Sequence, residues 1–484
     1  PFVSPPLSLL DCVSLLGSGL SIINYCDVPN FPPGPRPLPV IGNLHIFDVK
    51  RPYKTMLELS KKYGPIFSIQ MGLQKMVVLA GYETVKEALV NQADAFAERP
   101  KIPMFEESAK GYGVIFSHGE NWKVMRRFTI TTLRDFGMGK RVIEDKTVEE
   151  CRCLIKEFES HKGKPFEITS VLNAAVANVI ASILFGKRFD YRDPAFVRLI
   201  NMVDENARLL GSPSVMVTLI IFILIPSFLK DPTPPFYPRQ SCFLSRHRTC
   251  LNFPSSLSCT DSYTNPEKSN TNAYFHNENL ISLVGNLFAA GTETTSTTLR
   301  WGILLMMKYL KIQNNVQEEI AKVMGSTQPR IEHRTKMPYT DAVIHEIQRF
   351  ANILPMDLPH ETTVNVTLKG YFIPKGTYII PLLASVLYDE SQWEKPHTFC
   401  PEHFLNSEGK FVKKEAFLPF SAGRRICAGE TLAKMELFLF FTSLMQRFTF
   451  QPAPGVTRAE LDLTPAIGLT NAPLPYKISV VPRC

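Results

Sequence analysis

A ten-residue stretch near the end of the chain, Phe420 to Gly429, reads FSAGRRICAG. It sets Cys427 between Gly423 and Gly429, with Arg425 two residues before it and an apolar run after it. A solitary cysteine is ordinarily a small buried hydrophobe, but these neighbours favour chemistry. Glycines permit a tight loop and the close approach of a flat ligand. The run TLAKMELFLFFTSLMQRF reads as a buried helix. Its N-terminal dipole and free N–H groups point back at Cys427 and favour a thiolate. One cysteine cannot hold zinc or an iron–sulfur cluster alone, yet it can be the single axial ligand of a haem iron.

Other pairs have spacings that suit such a site. In AAGTETTS, Ala289 to Ser296, Glu293 stands beside Thr294, an acid next to a hydroxyl that can relay protons. Gly291 costs a helix interior roughly 1 kcal/mol relative to alanine. Threonines that bond back to the preceding turn bend a helix, so an interruption is expected there. In HEIQRF, Glu346 and Arg349 lie at i and i+3 on one helix face. In NWKVMRRF, Trp122 and Arg126 lie one helical turn apart, and arginine suits carboxylates through paired hydrogen bonds.

These motifs together resemble the cytochrome P450 superfamily. Phe420, Gly423, Arg425, Cys427 and Gly429 fill every fixed place of its haem signature, F-x-x-G-x-R-x-C-x-G. Glu346 and Arg349 resemble its E-x-x-R pair, and FCPEHF resembles the stretch that supplies a third partner, with His403 where arginine is usual. That variant is similar to vertebrate microsomal family 2, as are PPGPRPLPVIGN, FGMGKR, QEEI, GYFIPKGT and TNAPLPY. The resemblance covers residues 31–225 and 278–483.

The resemblance implies a mainly α fold with small β-sheets, the cytochrome P450 fold, with haem b between a long central helix and the cysteine loop. Cys427 would bind the iron. Trp122, Arg126, Arg99 in AERP, His360 in LPH and Arg425 would contact the haem propionates. Glu346, Arg349 and His403 would clamp the loop that carries Cys427. Glu293 and Thr294 would serve dioxygen at a groove in the central helix. Ile115, Phe116, Phe288, Ala290, Leu354, Leu358 and Leu469 would line an apolar substrate pocket. Lys123, Arg127, Arg134, Lys140 and Arg424 would dock an acidic reductase on the cysteine side.

The implied activity is a haem-thiolate monooxygenase that inserts one oxygen atom of O2 into an apolar substrate of xenobiotic, fatty-acid or steroid type. Electrons would come from NADPH through NADPH–cytochrome P450 reductase, with cytochrome b5 as a further partner. The implied location is the endoplasmic reticulum membrane, with the catalytic domain facing the cytosol. Two rivals remain. A haem-dependent isomerase or dehydratase acting on peroxides would tend to lose the acid–alcohol pair, which is present here. A non-catalytic haem-binding relic would follow from damage to the segment 226–271.

Helices and strands must place these residues. IFSIQMG and KMVVLAG, on either side of Leu73, alternate as a β-hairpin. Glu83 to Gln92, much of Asn121 to Phe189, Glu278 to Leu310 and Tyr339 to Ile353 repeat as helices. Glu361 to Ile380 reads as short strands separated by turns. Proline-rich text at 226–271 forbids a sustained helix and is expected to be irregular, where the family has a long helix and its return. Phe31 to Leu44 carries five prolines and reads as a stiff extended segment. Before it, Leu7 to Ile23 is 17 mostly apolar residues broken by Asp11. A spanning helix needs about 20, so residues 1–26 read as a weak or truncated anchor, and 27–484 as one catalytic domain.

Composition agrees. The 484 residues are 45% hydrophobic and 20% charged, a globular balance long enough for a large core. Net charge is +8, which suits acidic partners or an anionic membrane surface. No basic run interleaved with aromatics suggests nucleic acid. The ten cysteines contain no CxxC pair and are sparse for a disulfide scaffold, which favours a reducing compartment, and their spacings give a zinc cluster no support.

Overall fold

The computed structural model describes residues 28–213 and 274–483. The expected anchor at 1–26 and the irregular segment at 226–271 lie outside them. After a single 3-10 turn at Leu44–Ile46, the described residues form helix α1 (Pro52–Tyr63) and a hairpin of β1 (Ile66–Met71) and β2 (Gln74–Leu79), paired antiparallel on either side of Leu73. Helix α2 (Tyr82–Lys86) runs into a wider turn at Glu87–Asn91. Then come α3 (Pro103–Ala109), α4 (Gly119–Asp135), α5 (Arg141–Ser160), strand β3 (Phe166–Glu167), α6 (Thr169–Leu184) and α7 (Pro194–Leu210). Asp193 caps α7 by accepting from the Ala195 and Phe196 N–H groups, with Pro194 at the first turn.

The second stretch begins with α8 (Asn277–Lys308), α9 (Leu310–Met324) and α10 (Pro338–Ala351). Short strands follow: β4 (His360–Glu361), β5 (Val366–Leu368), β6 (Tyr371–Ile373) and β7 (Tyr378–Pro381). Helices α11 (Leu383–Leu387) and α12 (Glu430–Arg447) precede β8 (Phe448–Pro452) and β9 (Lys477–Pro482). The sheets are small, in the orders β1-β2-β7-β4, β3-β9-β8 and β5-β6. The main core lies where α5, α6, α8, α10 and α12 meet. Both α6 and α12 are apolar on nearly every face and are buried to match.

The central helix differs from expectation. Helix α8 runs unbroken through Gly291, and its 32 residues stay helical. The Thr294 and Thr298 hydroxyls donate to the carbonyls four residues back, at 2.8 Å each, without ending the helix. Gly291 serves packing instead. A Cβ there would fall 2.7 Å from Cδ1 of Ile180, so the missing side chain lets α6 approach α8.

The pair in HEIQRF is buried, not on the surface. Both side chains are 0% exposed, and Arg349 donates to both carboxylate oxygens of Glu346 at 2.7 Å. Its remaining N–H groups donate to the carbonyls of Leu387, Pro396 and Thr398. Glu346 accepts from the Cys400 N–H at 2.9 Å and meets Nδ1 of His403 at 3.2 Å. The Lys395 N–H faces Nε2 of His403 at 3.3 Å, which assigns the proton to Nδ1. The clamp therefore grips residues 387–403 directly. It reaches the cysteine loop through packing, since Phe404, Phe417 and Ala422 share one apolar cluster with Trp393.

Removing one member of a buried pair costs about 3–5 kcal/mol. Glu346→Ala should lower the unfolding free energy by that amount, a large share of the roughly 5–15 kcal/mol that a domain holds. Urea unfolding followed by circular dichroism checks this, and a loss under about 1 kcal/mol, the worth of an exposed pair, would contradict the clamp.

Candidate functional site

Cys427 sits between a short turn, Gly423–Arg425, and the start of α12, with Gly429 at the helix N-cap. The Cys427 N–H donates to the Phe420 carbonyl at 3.0 Å and closes the loop. The Phe420 ring lies 5.6 Å beneath the Lys434 ammonium. Gly423 has φ +75°, and a Cβ there would fall 1.8 Å from the Leu89 carbonyl oxygen, so only glycine fits. The Cys427 side chain is accessible although protein surrounds most of it, as expected of a group lining an interior space. Burial pushes the free thiol up, while the Gly429 N–H and Arg126 pull it down. The helix-end effect is thus present but outweighed by burial. A coordinated cation reverses that balance, because a coordinating thiol is deprotonated outright.

Around this loop the structure gathers the positive groups that the sequence singled out. Arg126 of α4 donates to the Ile426 carbonyl, beside the cysteine. Arg425 donates to the Ala97 carbonyl at 2.7 Å, the Ser117 carbonyl at 2.9 Å and Glu98 at 3.2 Å. Its guanidinium lies 3.7 Å over the Trp122 ring. Arg99 donates to the carbonyls of Leu358 and Pro359 at 2.8 Å and of Ile115 at 3.3 Å. His360 meets the Phe96 carbonyl through Nδ1 at 2.7 Å.

These groups are short of partners. Nη1 of Arg425 and Nε1 of Trp122 are buried donors with no hydrogen-bond partner, and Nε2 of His360, left an acceptor in a neutral ring whose Nδ1–H serves Phe96, is unpartnered too. Burial and the nearby Arg99 push Arg425 down to about 8. Burial, helped by Arg126, pushes Arg99 down to about 10, and burial with Arg99 lowers His360. The buried carboxylate of Asp357 lies 3.8 Å from Nε2 of His360 and also accepts from the Ser421 hydroxyl. Glu98 and Asp357 do not balance three arginines. A flat ligand bearing two carboxylates would supply the missing acceptors, and an accessible thiol among these cations suits its metal. The residues present fit haem b.

On α8, the Glu293 carboxylate is buried and accepts from Thr470 at 2.7 Å and Thr297 at 3.1 Å. Burial pushes it up. The Thr294 hydroxyl is half-buried and donates to the Ala290 carbonyl. The acid and the hydroxyl are neighbours in sequence but bond to different partners. Ala290 is exposed, the one such position in α8 beyond Ile281, while Ile115, Phe116, Leu354, Leu358 and Leu469 are half-buried. Phe288 packs fully into the main core.

Some participants escaped the sequence reading. Glu98 bridges Arg425 to the Arg99 and Gly119 N–H groups. Those contacts and His118 hold its carboxyl down at about 2 against the pull of burial. Glu436, the single acid in the run MELFLFF, accepts from Thr295 at 3.3 Å and is pushed up to about 8 by burial. An acid amid that apolar run was the available signal. Nothing in the spacing marked Glu98, Asp357 or Ser421, whose partners are distant in sequence.

Comparison with known proteins agrees with this geometry. The cytochrome P450 family model matches residues 32–480. Cytochrome P450 2K4 of Oncorhynchus mykiss is 51% identical over 462 residues, covering 93% of this chain and 92% of that protein. Cytochrome P450 2B15 of Rattus norvegicus is 43% identical over 471 residues, covering 94% of each. Cytochrome P450 2B4 of Oryctolagus cuniculus is 44% identical over 497 residues, covering 98% of this chain and 99% of that protein. The chain belongs to the cytochrome P450 family. It is a haem-thiolate monooxygenase with haem b as its cofactor, and it works with a redox partner on a small-molecule substrate.

Proposed function

We propose that the chain oxygenates apolar organic molecules of xenobiotic, fatty-acid or steroid type. NADPH–cytochrome P450 reductase supplies its electrons, with cytochrome b5 as a further donor, on the cytosolic face of the endoplasmic reticulum membrane. The observation that carries this reading is that buried donors of Arg425 and Trp122 stand unpartnered beside the loop that presents the accessible thiol of Cys427. Cys427 would hold the iron, and Arg425, Trp122, Arg126, Arg99 and His360 would hold the propionates. When bound, haem would supply the chemistry of dioxygen activation, with a thiolate from Cys427 as its electron-donating ligand.

The residues of this chain do the rest. Glu293, buried and raised, stores a proton at its carboxyl, and Thr470 and Thr297 fix its position. The Thr294 hydroxyl, tethered to its own helix, rotates to pass a proton into the site. Ile115, Phe116, Ala290, Leu354, Leu358 and Leu469 exclude water and hold an apolar substrate. Phe288 acts from behind, by supporting the wall. The peroxide-rearranging alternative is disfavoured by the retained acid and hydroxyl.

Electron delivery falls to α4. Its buried side reaches the cysteine loop through Arg126, and its outer side exposes Lys123, Arg127 and Arg134. Lys140 is exposed nearby, on the segment whose Gly139 lies against Thr431 at the start of α12. Lys123 is paired with Glu120 and Arg424 with Asp94, so Arg127, Arg134 and Lys140 are the stronger candidates for an acidic partner. A groove of about 380 Å³ there is lined by apolar Val124, Phe128, Phe136 and Phe275 and by polar Arg127, Thr131, Thr132 and Asp135. Exposed Leu38, Val40, Ile41, Ile46 and Leu73 cluster near the N-terminal segment and support a membrane-facing edge. No helix among the described residues is long and apolar enough to cross a membrane.

Thr294→Ala should keep haem but release more hydrogen peroxide per NADPH consumed, because protons arrive late. An unchanged ratio would remove Thr294 from the relay. Arg127→Glu with Arg134→Glu should slow reductase-supported turnover and weaken its dependence on salt, which screens such steering beyond about 10 Å at 0.1 M. The same variant should turn over normally with an organic hydroperoxide in place of reductase and oxygen. Equal loss of both activities would contradict the docking assignment.

A further inference from the structure

The short helix α3 is held in an unusual way. It has seven residues, too few for a stable isolated helix, and none of its described side chains is fully buried. The segment after it is well fixed. The Gly113 N–H donates to Asn279 at 2.8 Å, and those of Val114 and Ile115 donate to Asn286 at 2.9 and 3.1 Å. Asn121 holds the Gly111 carbonyl at 2.8 Å. Side-chain ties also hold helix α3 and its C-cap residue Lys110. Phe105 stacks on Phe116 with ring centroids 3.9 Å apart. Lys110 lies 3.8 Å from Glu278. Glu106 meets Nε2 of His118, the N-cap residue of α4, at 2.5 Å.

His118 has a second carboxylate on its other side. Nδ1 stands 3.7 Å from Glu98, the residue that holds Arg425. We propose that His118 is a proton-operated latch, which ties α3 to the Glu98–Arg425 pair and so controls how readily the pocket wall at Phe116 opens to substrate. The proposal rests on the pocket reading above. The three side chains are 17% (His118), 34% (Glu106) and 26% (Glu98) exposed, sheltered enough for the charge to act more strongly than at a free surface. An imidazolium donates from both nitrogens and can hold both carboxylates. A neutral ring donates from one only and must release one of them.

The groups around His118 set the sign. Glu106 faces it from α3, Glu98 from the preceding loop, Arg425 from beyond Glu98, and Glu361 acts from β4. On its own helix, Glu120 and Lys123 pair with each other at 2.6 Å. The facing carboxylate of Glu98, then the hydrogen-bonded one of Glu106, raises His118 above the ordinary imidazole value of about 6.5, against burial. Glu98, held down at about 2, stays charged throughout. The latch is therefore fully closed below the ordinary histidine value and loosens as pH rises through the raised one.

Hydrogen exchange of the haem-loaded full chain, corrected for the intrinsic pH dependence of exchange, reads the latch directly. Exchange in residues 103–109 should speed up about threefold or more as pH rises through the His118 transition, the scale of a partly exposed ion pair. Entry of pyrene, a neutral apolar probe whose fluorescence haem quenches, should speed up in parallel. His118→Gln and Glu106→Gln should each remove both pH dependences, and His118→Lys should keep the slow behaviour at all pH values. Wild-type exchange that is flat with pH, or a Glu106→Gln variant that keeps the wild-type profile, would overturn the latch. Exchange that responds to pH while pyrene entry does not would also overturn the proposal, by placing α3 off the substrate route. That last result would leave the haem-thiolate reading standing, whereas failure to bind haem would sink that reading instead.

Discussion

The cysteine loop cannot hold its own shape, and the buried pair of Glu346 and Arg349 supplies much of the shape it lacks. A loop that presents one sulfur to a flat ligand must keep a left-handed glycine pressed against Leu89 and must leave the sulfur uncovered. Little within FSAGRRICAG enforces that beyond the Cys427 N–H bond to Phe420. The enforcement comes from the segment 387–403, which has no long helix or strand of its own and is gathered by the N–H groups of Arg349. A buried ion pair is costly unless every polar atom is satisfied. Here Arg349 spends its donors on Glu346 and three carbonyls, and Glu346 accepts from Cys400 and His403. His403 can take the usual arginine's place because one Nδ1–H is all that this corner of the carboxylate requires.

The site then works by an imbalance that the rest of the fold tolerates. Arg99, Arg126 and Arg425 are brought within reach of one another, although burial and mutual repulsion oppose it. Backbone carbonyls of Ala97, Ile115, Ser117, Ile426, Leu358 and Pro359 absorb part of the charge without cancelling it. What remains is an electrostatic preference for a dianionic ligand. Glu98 is held ionised by His118 and by the Arg99 and Gly119 N–H groups, with Arg425 adding to them, and the carboxylates of Glu98 and Glu106 in turn draw His118 towards its charged form.

Much of this was legible in the chain. The hairpin around Leu73, the apolar helix after Cys427 and the pairing of Glu346 with Arg349 follow from period, composition and spacing, which are local properties. The tight loop around Cys427 was legible because its glycines fall at fixed places within ten positions, and the turn at Gly423 follows from them. The expectation for Gly291 failed because helix propensity is a local cost, while the approach of Ile180 is a tertiary gain that no local window contains. The same reason hid Glu98, Asp357 and His118. Each takes its meaning from partners brought close by folding, such as Arg425 some three hundred residues away from Glu98.

The central claim is that Cys427, alone among the cysteines, presents a thiolate to haem iron. The absorption spectrum of the reduced, carbon monoxide-bound protein tests it most directly, because the position of the main haem band reports whether a thiolate lies opposite the carbon monoxide. The wild-type chain, Cys151→Ala and Cys400→Ala should all show the thiolate-shifted band, and Cys427→Ala should lose it. A thiolate-shifted band in Cys427→Ala, or its absence from the haem-loaded wild-type protein, would contradict the account.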